Sequence, residues 1–397
     1  MTFTPSQKFL LFWLIFISGL VIGKYSNFPL LILGWLTGLW GLLWWSKQEE
    51  WVELLALGAT AAGAGMIVWQ LTGGETWLHL NFLSQLSTWL ETLRNSIGER
   101  IFAVLPEPHG SLLGGIIFGN KVQLDKDLVD AFRVVGLTHI IAVSGYNLTI
   151  LSKNAETLLR GWLGRKAMWV SLGLILFFVI ITGAPASILR AAVMATTIIW
   201  ARMIGRPSRS VNLLILAAGV LAIFEPKIVF SIGFQLSVVA TYALVRLAPI
   251  INIPLSRLPI PNAISSILAE TLAATLLTAP LIVAYFERLS IVSPLTNILV
   301  LPLIPLLMGL GIIGIILLFS LPPLGKLAIF ICWPILQWII SVTGWFAELP
   351  WAATSTSLGM WWTVALMVAI IVGVEMLNRL AEQRQPDLLA QLEVLPQ

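Results

Sequence analysis

The sequence contains few charged residues and almost no cysteine. Only 11% of its 397 residues are charged, whereas soluble globular chains carry about 25%. The single cysteine, Cys332, excludes an intrachain disulfide. Hydrophobic residues make up 58% of the chain. This composition excludes a water-soluble enzyme, a disordered chain and a fibrous repeat, and it predicts an all-α polytopic helical bundle in a membrane.

Motifs for several familiar chemistries are also absent. The only histidines are His79, His109 and His139, and no cluster of Cys or His accompanies them at metal-ligand spacing. There is no Gly-x-x-x-x-Gly-Lys-Ser/Thr loop for a nucleotide-driven motor, and there is no Gly-x-Ser-x-Gly elbow. We therefore predict no catalytic residue, no metal site and no cofactor, and we expect that the protein is not an enzyme.

Apolar stretches recur along the chain at a length that suits a bilayer, which needs about 20 residues per helix. We predict about 11–12 transmembrane or broken helices, and we expect the first to be an uncleaved span because no small-x-small cleavage site follows it. The predicted spans are residues 9–23, 28–45, 51–71, 137–152, 168–182, 187–204, 211–224, 232–245, 263–286, 291–319, 327–347 and 361–377.

Lys and Arg residues concentrate in alternate loops, which indicates that these loops are cytoplasmic. Three such loops contain Lys153, Arg160, Arg165 and Lys166, then Arg202, Arg206 and Arg209, then Arg246 and Arg257. Counting spans from these loops places the tail, residues 378–397, in the cytoplasm and residues 72–126 outside the membrane.

One predicted helix has an apolar face and a charged face. The apolar residues follow steps of three and four, at Phe82, Leu86, Trp89, Leu93, Ile97, Ile101 and Leu105. The other face holds Gln85, Glu91, Arg94, Glu99 and Arg100. The pattern predicts an extracytoplasmic amphipathic helix that either lies in the membrane interface or packs against the bundle.

Polar residues interrupt the predicted span 137–152. They are His139, Ser144, Gly145, Tyr146 and Asn147. The Ser-Gly pair favours a broken helix whose free backbone groups line a cavity. The alternative is a close helix contact, which small residues also permit.

Arg190 lies about one turn into the predicted span 187–204, after a turn that contains Gly183 and Pro185. A charge at this depth should face the protein interior or water, although a long side chain can also reach the headgroups. Gln235 is a further polar residue inside a predicted span. Such a residue, taken alone, more often makes an interhelical hydrogen bond than a ligand contact.

At this point the chain resembles a known family. The run from Phe132 to Gly145, FRVVGLTHIIAVSG, is similar to the signature of ComEC-type competence proteins, Gly-Leu-x-His-Leu-x-Ala-x-Ser-Gly after a short Gly-rich turn. Further family blocks follow in order, and the similarity extends from Trp89 to Leu310. The Gly-rich turn before the signature is residues 114–120. The blocks after the signature are residues 182–194 around Pro185 and Arg190, 229–237 around Gly233 and Gln235, and 279–302 with Pro294 and Asn297.

The resemblance implies a channel in the bacterial cytoplasmic (inner) membrane that imports single-stranded DNA during natural transformation. The implied DNA-path residues are His139, Ser144, Gly145, Tyr146, Asn147, Arg190 and Gln235. The implied hinge residues are Gly114, Gly119, Gly183, Pro185, Gly233 and Pro294. The implied partners are single-stranded DNA, the lipid bilayer, a separate DNA-receptor protein, and a cytoplasmic helicase or single-stranded-DNA-binding protein.

The chain departs from the family pattern at three points. The family commonly continues Ser-Gly-Leu-His, but Tyr146 and Asn147 stand here. Residues 72–89 are too few for an OB-type domain, and no His-x-His-x-Asp-His motif of a metallo-β-lactamase-like domain is present. We therefore expect a short form without its own nuclease or motor.

The predicted organisation has four parts, beginning with N-terminal transmembrane helices in residues 1–75. The amphipathic helix and a linker follow in residues 76–110, the channel core in residues 111–347, and the last span with a cytoplasmic tail in residues 348–397.

Two other functions stay open. A secondary transporter of a small anionic solute would use the same broken helices, but it should show two inverted repeats with matching breaks. The breaks near residues 144–145 and 183–185 have no matching breaks in a second half of the sequence. A membrane-embedded enzyme would need a catalytic pair or metal cluster at one depth, and none is recognisable.

Overall fold

The computed structural model describes residues 81–119, 124–141, 164–182, 186–203 and 210–384, together with residues 13, 15–21, 24, 61, 64–65, 67–69, 72, 148 and 161–162. The helices are α1 (Asn81–Phe102), α2 (His109–Phe118), α3 (Lys126–Val134), α4 (Thr138–Ile141), α5 (Ala167–Ile181), α6 (Ala186–Met203), α7 (Ser210–Phe224), α8 (Ile232–Arg246), α9 (Ala248–Leu255), α10 (Asn262–Phe286), α11 (Ser293–Val300), α12 (Ile304–Ser320), α13 (Pro322–Ala347) and α14 (Met360–Arg384). Short 3-10 turns are Gly164–Lys166, Pro226–Phe230 and Leu301–Leu303.

The described helices confirm the predicted all-α membrane bundle. Four segments are long and apolar enough to cross a membrane: Asn262–Phe286, Ser293–Ser320, Pro322–Ala347 and Trp361–Leu380. Helices α8 and α9 form a fifth candidate span, bent by 45° at their junction. Shorter apolar helices, among them α2, α5 and α7, accompany them. The full number of spans stays a prediction, because most of the N-terminal ones lie outside the described residues.

Proline explains two differences from the predicted spans. The span predicted at residues 291–319 is divided by the 3-10 turn Leu301–Leu303, where Pro302 supplies no backbone N–H for a regular helix. The span predicted at residues 232–245 continues beyond the bend as α9, which has Pro249 in its first turn.

A small antiparallel sheet lies at one end of the bundle. Strand β1 (Arg288–Ser290) follows α10 and pairs with β2 (Ala353–Ser355), with Leu289 opposite Thr354. The carbonyl of Ala352 also accepts hydrogen bonds from the N–H groups of Ile291 and Val292, at 2.8 and 3.4 Å. The sheet therefore joins the loop that precedes α11 to the loop that precedes α14.

Glycines allow α12 and α13 to pack as a close antiparallel pair. A Cβ atom built on Gly325 would lie 2.3 Å from the backbone N of Leu318, and one on Gly314 would lie 2.8 Å from Cδ1 of Ile329. The same face of α12 receives α2, because a Cβ on Gly311 would lie 2.6 Å from Cδ1 of Ile117. These contacts bring three apolar helices into the largest core cluster.

Helix α1 packs against the bundle. Its residues Ile97 and Ile101 are buried in the largest core cluster. At its end, Nη1 of Arg100 donates to the carbonyl of Leu318 at 3.1 Å, and the guanidinium lies over the ring of Phe319 at 4.3 Å. Of the two locations predicted for this helix, the structure therefore shows packing against the bundle.

The chain between α1 and α4 runs from one end of the span Ser293–Ser320 to the other. Arg100 contacts Leu318 near one end of this span, whereas Gly136 lies against Ser293 at the other end. The intervening helix α2 is buried at nine of its ten positions. The predicted location of residues 72–126 outside the membrane stays a prediction.

Candidate functional site

Several residues of the predicted DNA path lie outside the described residues. They are Ser144, Gly145, Tyr146 and Asn147 of the path, and Gly183 and Pro185 of the hinges. Their roles stay predictions. The described members of the path are His139, Arg190 and Gln235.

The turn before α4 is packed against the start of α11. Gly136 has φ 77°, a conformation that favours glycine, and a Cβ atom at this position would lie 2.7 Å from Cβ of Ser293. The hydroxyl of Thr296 donates to the carbonyl of Val135 at 2.9 Å. Backbone strain and close packing therefore both require glycine at this position of the signature, which fixes where α4 begins.

His139 is positioned by this turn. Its ring N–H donates to the carbonyl of Gly136, and its side chain is exposed although the next two residues, Ile140 and Ile141, are buried. The hydrogen bond to the backbone orients the ring, and the contact of His139 with DNA stays a prediction.

The contact between the turn and α11 can be tested at Thr296, which is fully buried. We expect Thr296→Val to lower the free energy of unfolding by about 1–3 kcal/mol, because it leaves the buried carbonyl of Val135 without a donor. Thermal unfolding in detergent measures the change. Thr278→Val is the matched control, since that hydroxyl bonds only to the carbonyl of Ala274 in its own helix. Equal losses for both variants would contradict the prediction.

Arg190 is a buried cation with unused hydrogen-bond donors. Its side chain is 3% exposed, and within the part of the chain that the structure describes its Nε and Nη1 atoms have no hydrogen-bond partner. The neighbouring residues Ile188 and Leu189 belong to two apolar clusters, which hold this part of α6 in the bundle. A buried charge without a partner costs several kcal/mol in order of magnitude, so this guanidinium is suited to an anion.

Gln235 differs from Arg190 because its hydrogen bonds are satisfied within the protein. Its Nε2 donates to the carbonyl of Val229 at 3.1 Å, and its Oε1 accepts from the hydroxyl of Tyr285 at 3.1 Å. These bonds tie α8 to α10 and to the 3-10 turn before α8. Gln235 thus has a structural role here, and its contact with DNA stays a prediction.

The structure brings the helices of Arg190 and Gln235 together. Leu189, beside Arg190, packs in one apolar cluster with Phe234, beside Gln235. Helices α6 and α8 are in contact. The helix that carries Arg190 therefore packs against the first turns of α8.

The described hinge candidates lie in different settings. Gly119 ends α2 with φ 70°, and its N–H donates to the carbonyl of Gly115. Gly114 lies inside the continuous helix α2, Gly233 lies in the first turn of α8, and Pro294 lies in the first turn of α11. Their role as hinges stays a prediction.

Sequence reasoning missed a polar group between α8 and α14. Oε1 of Glu375 accepts from the hydroxyl of Tyr242 and from Nε of Arg246, at 3.2 Å for the latter, and its Oε2 accepts from Nη2 of Arg246 at 2.9 Å. The available signal was an acidic residue inside the predicted span 361–377, which normally has a partner on another helix.

A second missed polar contact joins α2 to α13. His109 is buried, its Nε2 lies 2.9 Å from Oε1 of Gln337, and its ring stacks on Trp333 with centroids 5.5 Å apart. Among the described residues, no group of three or more His, Cys, Asp or Glu side chains could hold a metal ion. The described polar contacts are therefore contacts between helices.

Comparisons with known proteins agree with the resemblance. ComE operon protein 3 of Bacillus subtilis (strain 168) is 26% identical over 232 residues, which are 58% of this chain and 29% of that protein. Uncharacterized protein YcaI of Escherichia coli (strain K12) is 24% identical over 319 residues, which are 71% of this chain and 41% of that protein. The matches thus cover less than half of each relative's length. No solved structure matches.

A family profile gives a more extensive match. The family described as Competence protein matches residues 116–380, from the last turn of α2 to the second half of α14. This region contains the glycine turn at Gly136, the buried Arg190 and the bent helix pair α8 and α9. Since the match covers more than half of the chain, this multi-pass membrane protein belongs to the ComEC-type competence protein family.

Proposed function

We propose that the protein takes part in DNA uptake by forming a passage for single-stranded DNA across the bacterial cytoplasmic membrane. The observation that carries the proposal is Arg190, a buried guanidinium with two unused donor nitrogens in a member of the competence protein family. A guanidinium binds phosphate oxygens through paired hydrogen bonds. A single strand carries such a phosphate at every nucleotide.

The small number of buried cations among the described residues also suits a passage through which DNA moves. Strong binding of a nucleic acid comes from many simultaneous contacts between Lys or Arg and phosphates, which would hold the strand in place. Among the described residues, Arg190 is the one arginine that is buried, and together with His139 of the family signature it offers weaker contacts, which a moving strand can exchange. Contacts to the sugar-phosphate backbone of DNA do not depend on the base sequence, as uptake of DNA of any sequence requires.

The finer features of the proposal come from the sequence. Residues 111–347 form the channel core, and the tail after α14 lies in the cytoplasm. A separate receptor protein delivers the DNA, and a cytoplasmic helicase or single-stranded-DNA-binding protein draws it inward, since the chain contains no motor loop.

A secondary transporter of a small anion is the second candidate, because one buried guanidinium also suits a single phosphate or carboxylate. Flux of labelled phosphate in proteoliposomes that contain the purified protein distinguishes the two. Flux that added single-stranded DNA does not change would favour the solute transporter.

The proposal is tested by deleting the gene in a naturally transformable host and restoring it on a second locus. We expect deletion to abolish the entry of end-labelled DNA into the cytoplasm and the formation of transformants, while DNA binding at the cell surface persists. Restoring the gene should recover both. Normal entry of labelled DNA in the deletion strain would refute the proposal.

A further inference from the structure

A group of four polar side chains connects α14 to α8, and we call it the clamp: Tyr242, Arg246, Glu375 and Asn378. Both carboxylate oxygens of Glu375 accept hydrogen bonds from Arg246, and Oε1 also accepts from Tyr242. Nδ2 of Asn378 donates to the carbonyl of Arg246 at 3.1 Å. Two residues of α14 therefore bind two side chains and one backbone carbonyl of α8.

The clamp attaches a helix that has few other buried residues among those that the structure describes. Only 17% of the membrane-spanning segment of α14 is buried inside the protein, compared with 33–39% in the other three full-length spans. Val374 and Ile370 of α14 pack in one apolar cluster with Ala243 and Leu247 near the end of α8, and with Ala273 and Leu277 of α10. This apolar cluster lies next to the clamp, so α14 has polar and apolar contacts with the end of α8.

The clamp lies at the bend between α8, which carries Gln235, and α9. Helices α8 and α9 meet at 45°, and Arg246 is the last residue of α8 before the bend. Pro249 beyond the bend has no N–H, so it cannot bond to the carbonyl one turn before it, that of Val245. The neighbouring carbonyl, that of Arg246, accepts a hydrogen bond from Asn378 of α14.

The other end of α8 contacts α6, the helix that carries Arg190. Gln235 in this end is bonded to Tyr285 of α10, and Phe234 shares an apolar cluster with Leu189 of α6. The direction of α8 relative to α9 therefore affects how the first turns of α8 lie against α6, the helix that carries Arg190. Groups that hold the bend also hold this contact between the two helices.

We propose that Glu375 and Asn378 are positioning residues for the DNA passage, and that they act by fixing the angle between α8 and α9. This inference rests on the proposed function, because it assigns a purpose to the angle. Release of the clamp lets α8 turn about residue 247, which moves its first turns relative to Arg190 and slows the passage of the strand.

The angle is measured directly with paired spin labels in the full-length protein. Cysteines at Ser231 and Leu258, both exposed and on either side of the bend, carry the labels, and the buried Cys332 is replaced by Ala in every variant. We expect Glu375→Ala and Asn378→Leu each to shift and broaden the distance between the labels. Glu375→Gln keeps an acceptor for Tyr242 but loses the charge, and it should give a smaller shift.

The same substitutions, without labels, are assayed for entry of labelled DNA at equal protein level. We expect about a tenfold loss for Glu375→Ala, as the removal of one charge-assisted hydrogen-bond system predicts, and a smaller loss for Glu375→Gln. Asp130→Asn is the control, because it removes an exposed ion pair with Arg133 outside the clamp. This control should change neither the distance nor the uptake.

The outcomes separate the inference from the proposed function. An unchanged distance in Glu375→Ala and Asn378→Leu overturns the inference, whatever the uptake. A changed distance with unchanged uptake also overturns it, and the proposed function still stands if the deletion strain takes up no DNA. If the deletion strain takes up DNA normally, the proposed function fails first. A clamp that acts only on stability would lower the melting temperature without a graded change in distance, which again overturns the inference.

Discussion

Replacement of Gly325 by Ala is expected to be among the most damaging single substitutions in the described part of the chain. The added Cβ would lie 2.3 Å from the backbone N of Leu318, 2.6 Å from its Cα and 2.6 Å from the backbone C of Leu317. Backbone atoms cannot rotate away as a side chain does, so α12 and α13 must separate. Overpacking of this kind costs about 1–3 kcal/mol and occasionally more.

Thermal unfolding of the detergent-solubilised protein measures this loss, and Gly344→Ala in the same helix is its control. A Cβ at Gly344 would meet nothing within 4 Å, and Ala is the better helix former by about 0.5–1 kcal/mol. We therefore expect the melting temperature to fall for Gly325→Ala and to stay the same or rise for Gly344→Ala. Equal falls would show that helix separation is not the cause.

Composition and periodicity were sufficient to predict the class of the fold. The apolar stretches at residues 263–286, 327–347 and 361–377 each appear as one long helix, because a bilayer demands about 20 residues in which every backbone group is bonded. The helical period between Leu93 and Leu105 also predicted α1 and the buried positions Ile97 and Ile101. These features depend on local pattern, which a sequence displays directly.

Breaks and pairings between distant residues could not be predicted in the same way. The bend at Leu247 and the strand pair between Leu289 and Thr354 depend on contacts across many residues of sequence. The path of the chain from Arg100 to Gly136 along the span Ser293–Ser320 also depends on such contacts. Counting charges in loops does not detect a buried helix such as α2, which is too short to be recognised as a span.

The polar site shows the same division. The presence of a polar residue inside an apolar span was sufficient to choose Arg190 and Gln235 as candidate site residues. Only the structure shows that they differ: Gln235 is hydrogen-bonded to Val229 and Tyr285, whereas two donors of Arg190 have no partner among the described residues. The clamp residue Glu375 was missed because its partner Arg246 lies more than a hundred residues away in sequence. Whether a polar side chain finds a hydrogen-bond partner depends on residues that are close in the folded structure but distant in sequence.

The unused donors of Arg190 lead to a prediction in which stability and function change in opposite directions. An uncompensated buried charge destabilises the folded state. Arg190→Gln removes this charge, so we expect its melting temperature to stay the same or rise. Native proteins keep such unfavourable groups where function uses them.

Uptake of DNA should respond in the other direction. A hydrogen bond to a charged group contributes about 1.5–3 kcal/mol, and about 1.4 kcal/mol corresponds to a factor of ten in rate. We therefore expect Arg190→Gln to slow the entry of labelled DNA by about tenfold to a hundredfold. Arg190→Lys keeps the charge but loses the planar fork, so its loss should be smaller. Arg190→Glu would repel phosphates and should show the largest loss.

Arg133→Gln is the matched control, because this arginine is exposed and pairs with Asp130 at the surface. Loss of that charge should leave both uptake and melting temperature close to those of the unmodified protein. A lowered melting temperature in Arg190→Gln with proportionate loss of uptake would show that the guanidinium supports folding through a partner in the folded protein. Unchanged uptake in Arg190→Gln and Arg190→Glu would remove Arg190 from the DNA path, since a reversed charge cannot leave the movement of a polyanion past it unaffected.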